Sequence, residues 1–120
     1  MKIAVTAQGT DIEAVVDPRF GRTRYFIVVD TETQEVSVVD NQVNLNAAQG
    51  AGIQAGKKVV ELGVQAVITG HVGPKAFATL QAGGIEVYNG ASGTVAEAIE
   101  QYKTGKLQLA QSADVNGHWM

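Results

Sequence analysis

The stretch Val64-Gln-Ala-Val-Ile-Thr-Gly-His-Val-Gly-Pro74 contains the transition that decides the predicted fold. Residues 64–69 are predicted to form a strand in which Gln65 is the one strongly polar side chain. This composition is typical of a strand that is covered on both faces. Pro74 suits the first turn of a helix, which we expect to extend to about Gln81. The stretch therefore predicts a buried strand that leads directly into a helix.

Similar patterns on both sides of this stretch predict the other elements. Strands are expected at residues 2–6, 25–30, 35–40 and 85–88, and helices at residues 47–62 and 94–104. The first three strands can pair antiparallel, whereas the last two need helical crossovers and therefore lie parallel to the first. We expect an α/β protein with a three-layer ribonuclease H-like fold. Its five-stranded mixed sheet would have the order 3-2-1-4-5, with helices on both faces.

Two local signals refine these helices. Thr94 and Glu97 form the pattern of a capping box at the start of the last helix. Glycines at positions 50, 52 and 56 are unusual in a helix, which indicates close packing against a neighbouring element. A flavodoxin-like fold fits less well than the ribonuclease H-like one, because no helix follows the first strand.

The composition describes one domain with a substantial core. The chain has 120 residues, of which 45% are hydrophobic. We expect a single domain over residues 1–105 and a mobile C-terminal tail over residues 106–120. Within that tail, His118 is expected to be a spectator. The alternative is that His118 and Trp119 form a flap over a ligand.

Charge and cysteine content exclude several classes of protein. A net charge of −3 argues against nucleic acid or an anionic membrane as the main partner. The absence of cysteine rules out disulfides and thiolate metal ligands. The apolar run at residues 1–5 is too short for a signal peptide or a membrane span, so we expect a cytoplasmic protein.

A candidate binding site follows the buried strand at residues 64–69. Gly70, His71 and Gly73 lie just beyond its carboxyl end, where open α/β sheets bind ligands. The start of the next helix favours an anion, and a neutral imidazole can ligate a transition metal. These features together suit a negatively charged group that bears a metal, with His71 as the candidate ligand. The alternative is that His71 only caps the loop or forms a hydrogen bond within it.

All three arginines, Arg19, Arg22 and Arg24, fall within six residues of the chain. The planar guanidinium group is well suited to carboxylate, phosphate and sulfide-rich anions. The alternative is that the arginines pair with the nearby acidic residues Asp11, Glu13 and Asp17. The predicted topology brings this loop to the edge of the sheet where residues 70–74 lie, which favours a shared site.

The loop at residues 6–10, after the first strand, should reach the same edge. It resembles a phosphate-binding turn, and we include Gln8 among the expected binding residues; simple loop flexibility is the alternative. Nuclease chemistry would require clustered carboxylates at the strand ends. The first and fourth strands carry no acidic residue, so nuclease activity is not expected.

An ordered series of short motifs resembles the dinitrogenase iron–molybdenum cofactor biosynthesis family, which includes NifX-type carriers and the C-terminal domains of NifB-type proteins. The series covers about residues 1–103 and consists of Phe20-Gly21-Arg22 followed by Tyr25–Asp30, Gly50-x-Gly52, Gly63–Ala76, Leu80, Gly84-Ile85 and Val87-Tyr88.

The resemblance implies a ribonuclease H-like fold without nuclease activity. It also implies a non-enzymatic carrier or scaffold, related to nitrogen fixation, that transiently binds an iron–sulfur or molybdenum–iron–sulfur cluster. Such a carrier would have donor and acceptor proteins as partners. In the family pattern a histidine is a plausible ligand, and His71 is the matching position.

Two other functions are open on the residues alone. The first is a small enzyme in which His71 acts as a general base on a phosphate- or carboxylate-bearing substrate. The second is a regulatory module that dimerises through an edge strand or through the glycine-rich helix. The sequence does not decide the oligomeric state.

Overall fold

The computed structural model describes residues 1–42 and 50–113. Its strands are β1 (Lys2–Ala7), β2 (Tyr25–Asp30), β3 (Val36–Asp40), β4 (Ala66–Ile68), β5 (Glu86–Asn89) and β6 (Gln108–Leu109). Its helices are α1 (Ala51–Glu61), α2 (Pro74–Ala82) and α3 (Val95–Lys103). None of the helices in this part of the chain is long and apolar enough to cross a membrane.

The strands form one mixed sheet of order β3-β2-β1-β4-β5-β6. β1, β2 and β3 pair antiparallel in succession, whereas β4 lies parallel to β1 and β5 parallel to β4. The parallel pairs are possible because α1 and α2 carry the chain back across the sheet between strands. The predicted α/β class, the mixed sheet and the order of the first five strands are confirmed.

The prediction of five strands is wrong, because β6 adds a sixth. β6 pairs antiparallel with β5, with Leu109 opposite Tyr88. The chain then continues in this register, and the Ala110 N–H donates to the carbonyl of Val87 at 2.8 Å. β6 and Ala110, which lie in the segment that the sequence assigned to a tail, thus pair with β5 of the sheet. His118 and Trp119 lie outside the described residues.

Two cores lie on opposite faces of the sheet. On one face, α1 and α2 cover Ala4 of β1 and Val67 of β4. On the other, α3 covers Ile3, Val5 and Ile68. Successive residues of a strand point to opposite faces, so β4 is buried on both sides, as its composition predicted. The domain therefore has three layers.

Local sequence signals explain how the helices pack and begin. A Cβ on Gly56 of α1 would lie 2.9 Å from Cγ2 of Thr79 in α2, so glycine permits the close contact of these helices. The capping box of α3 is present: Glu97 N–H donates to Thr94 Oγ1, and Thr94 N–H donates to Glu97 Oε1. The predicted start of α1 at Ala47 lies outside the described residues.

Shortening the chain after Gly105 tests the contribution of β6. The change removes Leu107, which packs against the core beneath α3, together with the pairing of β6 with β5. We expect a loss of about 1–3 kcal/mol in the free energy of unfolding, measured by urea denaturation. A chain shortened after Ala113 is the matched control, because it keeps all of these contacts. Equal stability of the two shortened chains would contradict a structural role for β6.

Candidate functional site

The parallel strands β1 and β4 end side by side, and two buried threonines join their ends. The hydroxyl oxygens of Thr6 and Thr69 lie 2.9 Å apart in a hydrogen bond. The Thr6 hydroxyl also lies 2.7 Å from the carbonyl oxygen of Asp17 and donates to it. Both threonines are fully buried, so these bonds satisfy hydroxyl groups that water cannot reach. The ends of β1 and β4 thereby hold Asp17, which is the first residue of a loop formed by residues 17–24.

We call residues 17–24 the arginine loop. Its start is held by Asp17, whose backbone N–H donates to the Thr6 carbonyl at 3.0 Å. The Asp17 carboxylate accepts the backbone N–H of Arg19 at 3.0 Å and also the backbone N–H of Arg24. Asp17 is only 6% exposed. One buried carboxylate thus ties together backbone groups from both ends of the loop.

The other end of the loop is held by Thr23 and Asn41, both fully buried. The Ala7 N–H donates to the Thr23 hydroxyl at 3.0 Å. The Asn41 side-chain amide donates to the Thr23 carbonyl at 2.9 Å, and the Asn41 backbone N–H donates to the Arg24 carbonyl at 2.8 Å. These bonds attach the end of the arginine loop to β1 and to the end of β3.

The middle of the loop is anchored in the core by Phe20. Its ring is fully buried and packs against that of Phe26, with the ring centroids 5.6 Å apart. Burial of an aromatic ring contributes about 1.5–3 kcal/mol, so this anchor is a strong one.

The loop after β4 pairs with the arginine loop through its backbone. The His71 N–H donates to the Pro18 carbonyl at 2.8 Å, and the Phe20 N–H donates to the His71 carbonyl at 3.2 Å. Gly70 lies directly against Pro18: a Cβ on Gly70 would be 2.7 Å from the Pro18 Cα. Only glycine permits this approach of two backbones.

An open pocket of about 470 Å³ lies at this edge of the sheet. It is lined by Gln8, Asp17, Pro18, Arg19, Arg22 and Arg24. Three arginines and one aspartate leave its wall with an excess of positive charge. The Arg24 guanidinium also lies 5.9 Å from the centroid of the Tyr25 ring, within the range of a cation–π interaction. The pocket is therefore suited to an anion.

The structure divides the predicted site residues into two groups. Gln8 and the three arginines share the pocket. His71 and Gly70 contact the arginine loop but, like Gly73, they are not among the residues of the pocket wall. Gly73 is buried at the start of α2, where its carbonyl accepts the Phe77 N–H at 2.9 Å. Within residues 1–42 and 50–113, no three or more His, Asp or Glu side chains are grouped to hold a metal ion.

Asp17 is a pocket residue whose position sequence reasoning missed, since it was considered there only as an ion-pair partner of the arginines. Burial raises the pKa of the Asp17 carboxyl, and this outweighs the lowering by the Arg19 N–H and the positive charge of Arg19. A signal was available, because an aspartate before Pro18 commonly accepts the N–H two residues ahead in a turn.

The raised pKa of Asp17 predicts a pH-dependent contribution to stability. A folded-state pKa above the unfolded value means that the folded state binds the proton more tightly, so the wild type gains stability as pH falls through the folded pKa. Asp17→Asn has no such proton. We expect the Tm of the wild type minus that of Asp17→Asn to increase between about pH 7 and about pH 4. A difference that stays constant or decreases on acidification would contradict this.

Gly70→Ala tests the backbone contact with Pro18. The added Cβ meets backbone atoms, so we expect a loss of about 1–3 kcal/mol and faster amide exchange at Phe20 and His71. Gly84→Ala is the control, since Gly84 has a φ of 76° but open space around its Cα. The control should lower stability without a selective effect on the amides of Phe20 and His71. Unchanged exchange at these amides in Gly70→Ala would count against the contact.

Comparison with known proteins identifies relatives over nearly the whole chain. An uncharacterized protein of Methanocaldococcus jannaschii is 30% identical over 111 residues, which cover 90% of each chain. The apo form of the orange protein from Desulfovibrio gigas is 40% identical, with a TM-score of 0.92 and coverage of 95% of this chain and 96% of that one.

A second solved structure, from Thermotoga, is of a protein provisionally named a NifB protein. It is 37% identical, with a TM-score of 0.84, and covers 97% of this chain and 98% of its own. The model of the family described as dinitrogenase iron–molybdenum cofactor matches residues 1–105. This chain therefore belongs to the dinitrogenase iron–molybdenum cofactor family.

Proposed function

We propose that this protein is a non-enzymatic carrier that binds an anionic metal–sulfur cofactor and passes it to an acceptor protein. The observation that carries the proposal is that three arginines of one firmly anchored loop line the same open pocket. Membership of the family supports a role in biosynthesis related to the iron–molybdenum cofactor. A cytoplasmic location, expected from the sequence, is part of this proposal.

The charges of the pocket favour an anionic cargo. The protein as a whole carries a net charge of −3, whereas the pocket wall has more positive than negative residues. Such a local reversal of sign attracts anions to one place on an otherwise acidic surface. Guanidinium groups are weakly hydrated and planar, so they suit a large anion whose charge is spread over sulfur atoms.

The open shape of the pocket favours transfer over permanent storage. The chain contains no cysteine, so a cluster would be held by arginine side chains, backbone N–H groups and a histidine rather than by thiolates. The cargo we propose is an iron–sulfur or molybdenum–iron–sulfur cluster, transiently bound. The related orange protein was solved as an apo form, a term for a protein without its bound group.

His71 is proposed as the one side-chain metal ligand. The support for this role is its place in the loop after β4, where its backbone pairs with both neighbours of Arg19. His71 is half-buried and therefore partly open to solvent. Gly70 and Gly73 would act by keeping the backbone of this loop close to the cargo.

We assign the domain to the ribonuclease H-like class as part of the same proposal, on the order of its first five strands. Nuclease activity is not part of the proposal, because β1 and β4 contain no acidic residue and Asp17 is the one carboxylate among the residues that line the pocket. Two-metal nuclease chemistry needs several carboxylates around the metal ions.

Anaerobic titration tests the carrier role. The probes are tetrathiomolybdate, a dianion of molybdenum and sulfide, and isolated iron–molybdenum cofactor. We expect the wild type to bind at least one of them more tightly than inorganic phosphate. Arg19→Gln, Arg22→Gln and Arg24→Gln should each weaken binding about tenfold or more, because each removes a charged hydrogen-bond donor.

Lys57→Gln, an exposed charge change on α1, is the matched control and should leave the dissociation constant unchanged. His71→Ala should weaken binding of the cluster more than binding of phosphate, because only the cluster offers a metal to ligate. Equal binding by His71→Ala and the wild type would remove His71 as a ligand. Failure of the wild type to bind either metal–sulfur probe would refute the carrier role itself.

A further inference from the structure

The binding of an anion in the pocket does not explain why the pocket wall contains the negative charge of Asp17. It is the acidic side chain among the residues that line the pocket, so its ionised form repels the cargo proposed above. Its burial is also costly, as the raised pKa of its carboxyl indicates. Because this charge is costly to bury and disfavours an anion in the pocket, we expect Asp17 to have a different role there.

The contacts of Asp17 indicate what that function is. Its backbone is bound to Thr6 at the end of β1, through the N–H at 3.0 Å and through the carbonyl at 2.7 Å. Its carboxylate accepts the backbone N–H groups of Arg19 and Arg24. One residue thus connects a rigid strand to the backbone of two of the three arginines.

The negative charge strengthens this connection. Hydrogen bonds to an ionised carboxylate are roughly twice as strong as those between neutral groups. The same charge attracts the Arg19 side chain and offsets the repulsion among three arginines in a pocket without cargo. A neutral acceptor would hold the backbone less firmly and would leave the arginines without a negative charge at the base of the loop.

We propose that Asp17 is a positioning residue, which fixes the backbone of Arg19 and Arg24 so that their side chains face the anion together. The identity of the anion that the arginines bind is taken from the proposed carrier function, on which this part of the inference rests. The positioning itself concerns the loop alone and is measurable without a ligand. Asp17 does not contact the cargo in this scheme and acts through the arginines.

Three variants separate the positioning role from the effect of charge. Asp17→Ala removes the acceptor and the charge, whereas Asp17→Asn keeps an acceptor oxygen and removes only the charge. Asp11→Ala is the matched control, because Asp11 also accepts an N–H two residues ahead, that of Glu13, but is exposed. Each protein is titrated anaerobically with tetrathiomolybdate, and amide exchange is measured without ligand by nuclear magnetic resonance.

We expect Asp17→Ala to raise the dissociation constant about tenfold or more, although loss of a negative charge alone would lower it. Asp17→Asn should stay within about threefold of the wild type, and Asp11→Ala should be unchanged. Without ligand, the amides of Arg19 and Arg24 should exchange faster in Asp17→Ala, relative to the buried amide of Val67. A dissociation constant equal to or below that of the wild type in Asp17→Ala would overturn the proposal.

Two further outcomes also decide the question. If the wild type does not bind tetrathiomolybdate, the carrier function has failed its test with that probe. The amide exchange rates of Arg19 and Arg24, which are measured without ligand, then decide whether Asp17 positions the loop. If Asp17→Ala does not fold, Asp17→Asn replaces it in the exchange measurement. The weaker acceptor should then give faster exchange at both arginine amides, and rates equal to those of the wild type would overturn the proposal.

Discussion

Gly70 lets the backbone of Pro18 come closer than any side chain would allow, and the arrangement of the site depends on this contact. Because the two backbones touch, His71 can pair with Pro18 and Phe20 on either side of Arg19. The arginine loop is thereby attached to the end of β4 as well as to β1. A loop held by two parallel strands presents its side chains in a defined place, although the loop itself has no regular structure.

The arginines lie at the surface, but the groups that hold them are buried. Phe20, Thr23 and Asn41 are fully buried, and Asp17 nearly so. These residues place three positive charges on a firm base within a protein of net negative charge. The combination agrees with a pocket that attracts an anion from solution and holds it without enclosing it, as the proposed transfer of a cargo would require.

Local patterns predicted those elements whose stability comes from nearby residues. β2 has its predicted bounds because aromatic and β-branched residues occur in an unbroken run. The capping box of α3 was predicted because its two hydrogen bonds join residues three apart. β6 was missed, since a strand of two residues carries almost no pattern and is stabilised by β5, about twenty residues away in the chain.

The sequence by itself determined the class of fold, the order of the first five strands and the three loops that meet at one edge of the sheet. Periodicity, glycine and proline positions and the need of parallel strands for helical crossovers suffice for these, because each is a local or topological constraint. Only the tertiary structure decided which side chains form the pocket. It placed Gln8 and the arginines in the pocket wall, put His71 beside it, and turned Asp17 from an apparent surface partner into a buried anchor. The reason is physical: burial and hydrogen bonding depend on residues that are distant in the chain, and a single sequence does not reveal them.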